Sequence, residues 1–572
     1  MKFIATYHRV ACLLCMSLAF QANAQTNTNS SRLTRESVIH AEKLIGLDFS
    51  NAKIDSMLGG LQGMPANYEL LRKAGLSNSI PPALWFNPMP VGLKLDTTRR
   101  APKWSSPGRV KLPSDENEIA FLSVGELGAL IKSRKLTSER LTRLYLERLK
   151  KFGPRLECVI TLTEELALEQ ARRADREIAA GKHRGPLHGI PYGAKDLLAA
   201  KGYKTTWGSV PFKDQVIEQD AAVVQRLEAA GAVLVAKLTM GELAWDDVWF
   251  GGRTRNPWNP EQGSSGSSAG SASATAAGLV AFGIGTETSG SIVSPATRCG
   301  VTGLRPTYGR VSRTGAMALT WTMDKIGPLC RTVEDCALVF NAIYGPDGVD
   351  QSVFDLPFNY QPKLKLSGLR IGYLKREFDA AGTNKPNDSA TLDKLRALGA
   401  KLVPVELPKA PMRALNFILI VEMAAAFDDL TRSGQDELLV RPSQATSMRR
   451  ARFVPAVEYL QANRVRYLLI QDMAKLFDEV DLFLAPVPGG DTIYMTNLTG
   501  HPSLTLPNGF NKDGTPTSVS FIGKLFGEAE LLGVAKAYQD ATDFHLKHPP
   551  MEKLVAPVGG EKAAAEKKGT TP

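Results

Sequence analysis

Residues 263–291 read GSSGSSAGSASATAAGLVAFGIGTETSGS. A stretch this rich in glycine and serine is ordinarily a flexible linker. Here it lies mid-chain, and its small residues run on into the apolar segment 279–283 instead of into a polar tract. Small side chains let a helix approach neighbouring backbone closely, and glycine lets backbone N–H groups face a substrate. The stretch is therefore read as a packed functional segment, and three chemistries compete for it. A phosphate-cradling loop would end in Gly-Lys-Ser/Thr, and no lysine follows. Gly266-Ser267-Ser268-Ala269-Gly270 fits the Gly-x-Ser-x-Gly nucleophile elbow, with His501 available as its base. That elbow must sit between a strand and a helix, whereas residues 259–265 read as loop. The third chemistry depends on what surrounds the segment.

Outward from it, the chain alternates helix and strand. Helical periodicity is expected over 122–131 and 137–152, with Ser123 and Thr137 as N-caps, and over 163–180, 221–229 and 528–544. Short apolar runs at 231–236, 369–374 and 480–487 read as buried strands. Such alternation predicts an α/β fold, with a mixed or parallel sheet covered by helices on both faces. Residues 378–471 are less patterned and more helical, and are read as the variable flank of the site. Upstream, 37–47 and 65–74 are expected to be helices, the second with Pro65 in its first turn and Gly75 past its end. The proline-rich stretch 81–113 reads as an extended strap.

The first 24 residues read as an export signal. Lys2, His8 and Arg9 precede an apolar run over 10–20, and Ala22-Asn23-Ala24 offers small residues where a signal peptidase cuts. The run is too short to span a bilayer. A periplasmic or secreted protein, with no stable membrane insertion, is the expectation. The expected divisions are 1–24 signal peptide, 25–115 helical and extended N-terminal region, 116–550 main domain and 551–572 flexible tail. The formal net charge is +11 over 572 residues, with no compact basic run and no nucleic-acid module, so a solvated basic surface is read and no nucleic-acid partner. Cys158, Cys299, Cys330 and Cys336 follow the signal. Four cysteines in a chain this long are not a disulfide framework, no spacing matches a zinc site, and they are read as small buried hydrophobes, with their disulfide state open.

Pro186-Leu187-His188-Gly189-Ile190-Pro191-Tyr192-Gly193-Ala194-Lys195-Asp196 is similar to the lysine motif of the amidase signature family, which the chain resembles from Gly185 to Asp335. Thr254 to Pro260 is similar to the approach to the Ser/Gly loop, Gly285 to Ser291 to the nucleophile loop, and Gly300 to Thr307 to its exit. Asn497 to Pro502 and Gly523 to Ala541 resemble the closing segment, so the likeness covers about 120–549. In the family a bridging serine lies 24 positions before the nucleophile, and that spacing joins Ser267 to Ser291. The resemblance implies Lys195 as base, Ser267 as relay after a cis peptide bond, Ser291 as nucleophile, and the backbone N–H groups of Thr288, Ser289, Gly290 and Ser291 as oxyanion hole. It implies a mixed central sheet covered by helices, here with a mainly helical N-terminal extension. Ser289 and Glu287 depart from the residues common at those places, but no reacting group is lost.

These residue types suit amide hydrolysis. An amide needs a strong nucleophile, oxyanion stabilisation and protonation of the departing nitrogen. Lysine can accept the serine proton only when neutral, so its pKa of about 10.4 must fall by burial. Lys195 is therefore expected to be buried, with Asp196 orienting nearby backbone instead of pairing with it. Glu287 is expected to hold the nucleophile loop, Arg305 and Arg298 to make structural ion pairs, with binding of a substrate carboxylate as the competing reading, and His188 to be structural. Trp245, Trp249 and Phe250 are candidate substrate-binding residues, with core packing as the competing reading. The expected reaction takes a small-molecule amide to acid and amine or ammonia through an acyl-enzyme on Ser291, with no metal and no cofactor. The rivals are an esterase or carbamate hydrolase on the same residues, a transamidase component that acts on charged tRNA, and a binding protein that keeps the fold. The oligomeric state is open, a homodimer being one option.

Overall fold

The structure is a computed structural model that describes residues 33–73, 75–380, 382, 384–487 and 490–554. The expected signal peptide and most of the expected tail lie outside these residues. The chain divides between Leu76 and Ser77 into two compact units.

The first unit contains two helices, Arg35–Ile45 and Asn51–Arg72. Thr34 and Ser37 close a capping box at the start of the first, and Gly46 ends it at φ 70°. Arg35 grips Asp55 of the second helix through both guanidinium and carboxylate ends, at 2.6–2.9 Å. The helix expected over 65–74 is instead the second half of one 22-residue helix, with Pro65 inside it. Proline removes a single donor, and Pro65 lies on exposed helix, where water can satisfy the carbonyl left free.

The second unit is built on an 11-stranded sheet. In chain order its strands are β1 (Val159–Leu162), β2 (Pro191–Lys195), β3 (Val233–Leu238), β4 (Phe282–Glu287), β5 (Thr302–Arg305), β6 (Lys325–Cys330), β7 (Arg370–Leu374), β8 (Lys401–Val405), β9 (Leu482–Pro486), β10 (Ser503–Phe510) and β11 (Pro516–Gly523). Across the sheet they run β1-β3-β2-β4-β6-β5-β10-β11-β9-β7-β8. The sheet is mixed: β3, β2 and β4 are parallel, as are β9, β7 and β8, and the other pairings are antiparallel. Every residue of β2, β3, β4, β6 and β9 is buried, as a sheet with helices on both faces requires.

The Ser/Gly-rich stretch divides into a turn, the helix Ala269–Ala276 and strand β4. All eight helix residues are buried, and Ser271 Oγ donates to the Ile284 carbonyl at 2.9 Å. A Cβ on Gly283 would meet the Ser271 carbonyl at 2.8 Å, and one on Gly285 would meet Ser268 Oγ at 2.7 Å. Small residues on the helix and glycines on the strand thus permit one close approach. Ser123 and Thr137 cap the helices Val124–Lys132 and Ser138–Leu156 as expected. Strand β8 lies in the flank 378–471, where the sequence pattern predicts no strand. It carries Pro404, and it escapes the usual penalty because it is the edge strand. The strap before residue 113 is irregular and is tied down by Lys103 N–H to the Tyr360 carbonyl (2.9 Å) and Ser105 N–H to Glu334 Oε1 (2.5 Å). All four described cysteines are free and buried.

Candidate active site

The register of three strands makes the site. Ala194 of β2 faces Ile284 of β4, and Glu287 of β4 faces Lys325 of β6. The C-terminal ends of β2 and β4 and the start of β6 therefore share one edge of the sheet. Lys195, the last residue of β2, has no exposed surface. Its Nζ contacts Ser267 Oγ at 2.8 Å, Thr286 Oγ1 at 2.8 Å, Ser268 Oγ at 3.1 Å and the Thr286 carbonyl at 3.4 Å. Burial lowers its pKa to about 7, against a weaker opposing pull from Asp324 and Glu287.

Ser267 follows a cis peptide bond from Gly266. Its carbonyl accepts from Gly241 N–H at 3.2 Å. Gly266 cannot be another residue without rebuilding the turn, since a Cβ would meet the Asp246 carbonyl at 1.8 Å. Ser268 braces Lys195 from the other side: its hydroxyl donates to the Thr286 carbonyl (3.0 Å) and accepts from Thr286 N–H (3.1 Å). Ser268 N–H reaches the Ser291 carbonyl at 3.1 Å, which draws the backbone at 291 against the turn that holds Ser267.

The loop 288–291 leaves β4 and enters the helix Val293–Cys299, with Gly290 at φ 90°. Two carboxylates hold its ends. Glu287 Oε2 accepts from Ile292 N–H (2.8 Å) and Val293 N–H (2.9 Å), while its Oε1 accepts from Arg305 Nη1 and Asn497 Nδ2, both at 2.7 Å. Burial alone would raise the Glu287 pKa, but the Arg305 guanidinium and the donors around the carboxylate outweigh it and hold the value at about 2. Thr288 Oγ1 donates to Asp324 Oδ1 at 2.5 Å. Among the described residues, the N–H groups of Thr288, Ser289, Gly290 and Ser291 donate to no protein acceptor.

The remaining expected residues fall as follows. Asp196 pairs with the ammonium of Lys237 at 2.8 Å, both wholly buried, and accepts Thr206 N–H at 2.8 Å. Arg305 makes the ion pair with Glu287, whereas Arg298 donates to Gln262 at 3.3 Å and pairs with no carboxylate among the described residues. His188 is buried against Glu177 at 3.1 Å. His501 is remote from the elbow role: its Nδ1 contacts Thr499 Oγ1 at 2.8 Å and its ring stacks on Phe477. Trp245 is 40% exposed on the loop whose Asp246 carbonyl abuts Gly266. Trp249 and Phe250 pack edge to face, 4.9 Å apart. Sequence reading meets Ser268 only as the serine of the elbow pattern, and it misses Thr286, Asn497, Asp324, Lys237 and Lys325. The last is a buried lysine opposite Glu287 whose Nζ has no hydrogen-bond partner among the described residues; burial and the nearby Arg305 hold its pKa well below the usual range. Nothing in their local sequence distinguishes these residues, because each acts through a strand register or a distant loop. Among the described residues no group of three or more His, Cys, Asp or Glu could hold a metal ion, and no helix is long and apolar enough to cross a membrane.

Known proteins resemble the chain over most of its length. The Amidase family profile matches residues 140–532. A glutamyl-tRNA(Gln) amidotransferase subunit from Methylococcus capsulatus is 36% identical over 480 residues, 75% of this chain and 98% of that protein. The native peptide amidase of Stenotrophomonas maltophilia superposes with a TM-score of 0.67 at 32% identity, over 75% of this chain and 98% of that one. An amidase family protein of Bacillus anthracis gives 0.68 at 28% identity, over 76% and 93%. The chain belongs to the amidase signature family and is an enzyme that hydrolyses carboxamide C–N bonds.

Proposed function

We propose that Ser291 is the nucleophile, Ser267 the proton relay and Lys195 the general base. The observation that carries this reading is the buried Lys195 Nζ, 2.8 Å from Ser267 Oγ, with a pKa of about 7. A neutral Lys195 draws the Ser267 proton while Ser267 takes that of Ser291, and the Ser291 oxygen attacks the amide carbon. The N–H groups of Thr288, Ser289, Gly290 and Ser291, which have no acceptor among the described residues, are free to stabilise the oxyanion. The proton returns through Ser267 to the leaving nitrogen, and the amine or ammonia departs. Water then repeats the sequence on the acyl-enzyme and releases the acid. Trp245, solvent-facing beside the turn that holds Ser267, is placed to meet the substrate as it enters. The likeness to a peptide amidase supports a free amide or peptide amide as substrate, in the periplasm or outside the cell if residues 1–24 direct export. The identity to a tRNA amidotransferase favours a second reading, transfer of ammonia within an assembly.

The test is intact mass after exposure to a fluorophosphonate, for the purified protein and for Ser291→Ala and Lys195→Ala. One adduct on Ser291, absent from Ser291→Ala and slow in Lys195→Ala, is expected. An adduct on Ser268, or an equal rate in Lys195→Ala, would overturn the assignment. Steady turnover of simple amides by the isolated chain separates the hydrolase from the transamidase component.

A further inference from the structure

Cys330 and Cys336 meet in the core beside β6. Cys330 is the last residue of β6, and Cys336 lies on the first turns of the helix Val333–Ile343. Neither has any exposed surface. In the ladder between β5 and β6, Cys330 is the register partner of Thr302, and the Thr302 carbonyl accepts from Cys336 Sγ at 3.5 Å. Strand pairing and helix placement thus bring the Cys330 backbone and the Cys336 sulfur to the same residue, Thr302, and burial together with the neighbouring Cys336 side chain pushes the Cys330 thiol well above the usual thiol range. Cys299 by contrast contacts the Ser264 carbonyl, and Cys158 packs in another part of the core.

The chain between the two thiols is already fixed. The Arg331 guanidinium donates to the carbonyls of Leu122, Val280 and Thr275, and Thr332 caps the helix through Asp335 N–H at 3.0 Å.

We propose that Cys330 and Cys336 form an intramolecular disulfide in the exported protein. The inference rests on the export reading, because disulfides persist in oxidising compartments. Two thiols lose two protons and two electrons, one S–S bond forms, and a disulfide-bearing oxidant of that compartment is reduced to two thiols. Both sulfurs are sealed in the folded chain, so the exchange belongs to folding after export. The bond closes a ring of seven residues and disfavours the unfolded chain by about 50-fold on the loop-entropy scale. It joins the end of β6 to the following helix, while the other end of the same strand lies opposite Glu287 beneath the nucleophile loop.

The experiment alkylates the full chain, produced through its own leader and purified without reductant, in denaturant before and after reduction. Intact mass reads the number of thiols and the mature N-terminus. In the processed protein the expected result is two alkylated cysteines before reduction and four after, with Cys330 and Cys336 in linked peptides. Four alkylated cysteines in the processed protein overturn the proposal. If the leader is retained, the export reading has failed instead, and refolding the chain in oxidised and reduced glutathione then decides. A Cys330–Cys336 linkage there supports the pairing, and its absence overturns it. Cys330→Ser and Cys336→Ser should each free the partner thiol for alkylation and lower the unfolding midpoint, while Ser291 still takes the fluorophosphonate.

Discussion

A buried lysine whose pKa is lowered to about 7 links both activity and stability to pH in the same direction, and Lys195→Met removes both dependences. With a pKa of about 7, the neutral fraction of Lys195 rises from about 9% at pH 6 to about 91% at pH 8. Thus kcat/KM for an amide should climb about tenfold across that interval and level off above it. The stability effect follows from linkage. The folded-state pKa lies below the unfolded value near 10.5, so between those values the unfolded chain binds more protons, and folding gains stability as pH rises. Integrating for one group, wild type should gain about 2 kcal/mol relative to Lys195→Met between pH 7 and pH 9. Methionine removes the titrating group, and taking the difference between the two proteins cancels the other ionisations they share. The variant also strands Ser267, Ser268 and the Thr286 hydroxyl, which lowers its stability by a pH-independent amount. The assays are a pH series of kcat/KM and denaturant unfolding of both proteins at pH 7, 8 and 9. A rate that keeps rising tenfold per unit through pH 9, together with a flat stability difference, would refute a Lys195 held neutral by burial.

Other substitutions probe the supports of the site. Glu287→Gln removes the charge facing the buried Arg305 and puts an amide donor among four donors. Unfolding in denaturant should show a loss of about 3–5 kcal/mol, and Ser291 should label more slowly with the fluorophosphonate. Gly266→Ala drives a methyl group into the Asp246 carbonyl, so labelling of Ser291 should fall sharply; unchanged labelling would mean that the turn tolerates a side chain. Lys325→Met replaces a buried amine that has no partner with an apolar chain of similar length. Stability should rise by about 1–3 kcal/mol, measured as a higher denaturant midpoint with labelling unchanged.

What was legible in the sequence was local. Ser123 and Thr137 announce helix starts because a cap is made by a residue with its immediate neighbours. The apolar runs behind β3 and β9 announce strands because burial on both faces demands hydrophobic residues along the whole strand. The run 263–291 marked itself by composition, since close packing of a helix on a strand leaves room only for Ser, Ala and Gly. The resemblance carried by these motifs named Lys195, Ser267 and Ser291, and the structure brings Lys195 and Ser267 into contact.

What the sequence did not show depends on pairing across the fold. Asp196 adjoins Lys195 in the chain yet pairs with Lys237 of the neighbouring strand, because side chains of successive strand residues point to opposite faces. Asn497 meets Glu287 from 210 residues away, and Asp324 meets Thr288 through the turn before β6. Pro65 misled because proline is favoured in a helix's first turn, whereas here it lies inside a longer helix, and β8 escaped notice because only the sheet order reveals an edge strand that can carry Pro404. The sequence by itself determined which residues can carry the chemistry. Tertiary structure alone decided which of them are dry, which are paired, and hence which lysine is held near neutrality, since desolvation and hydrogen bonding are properties of neighbours in space.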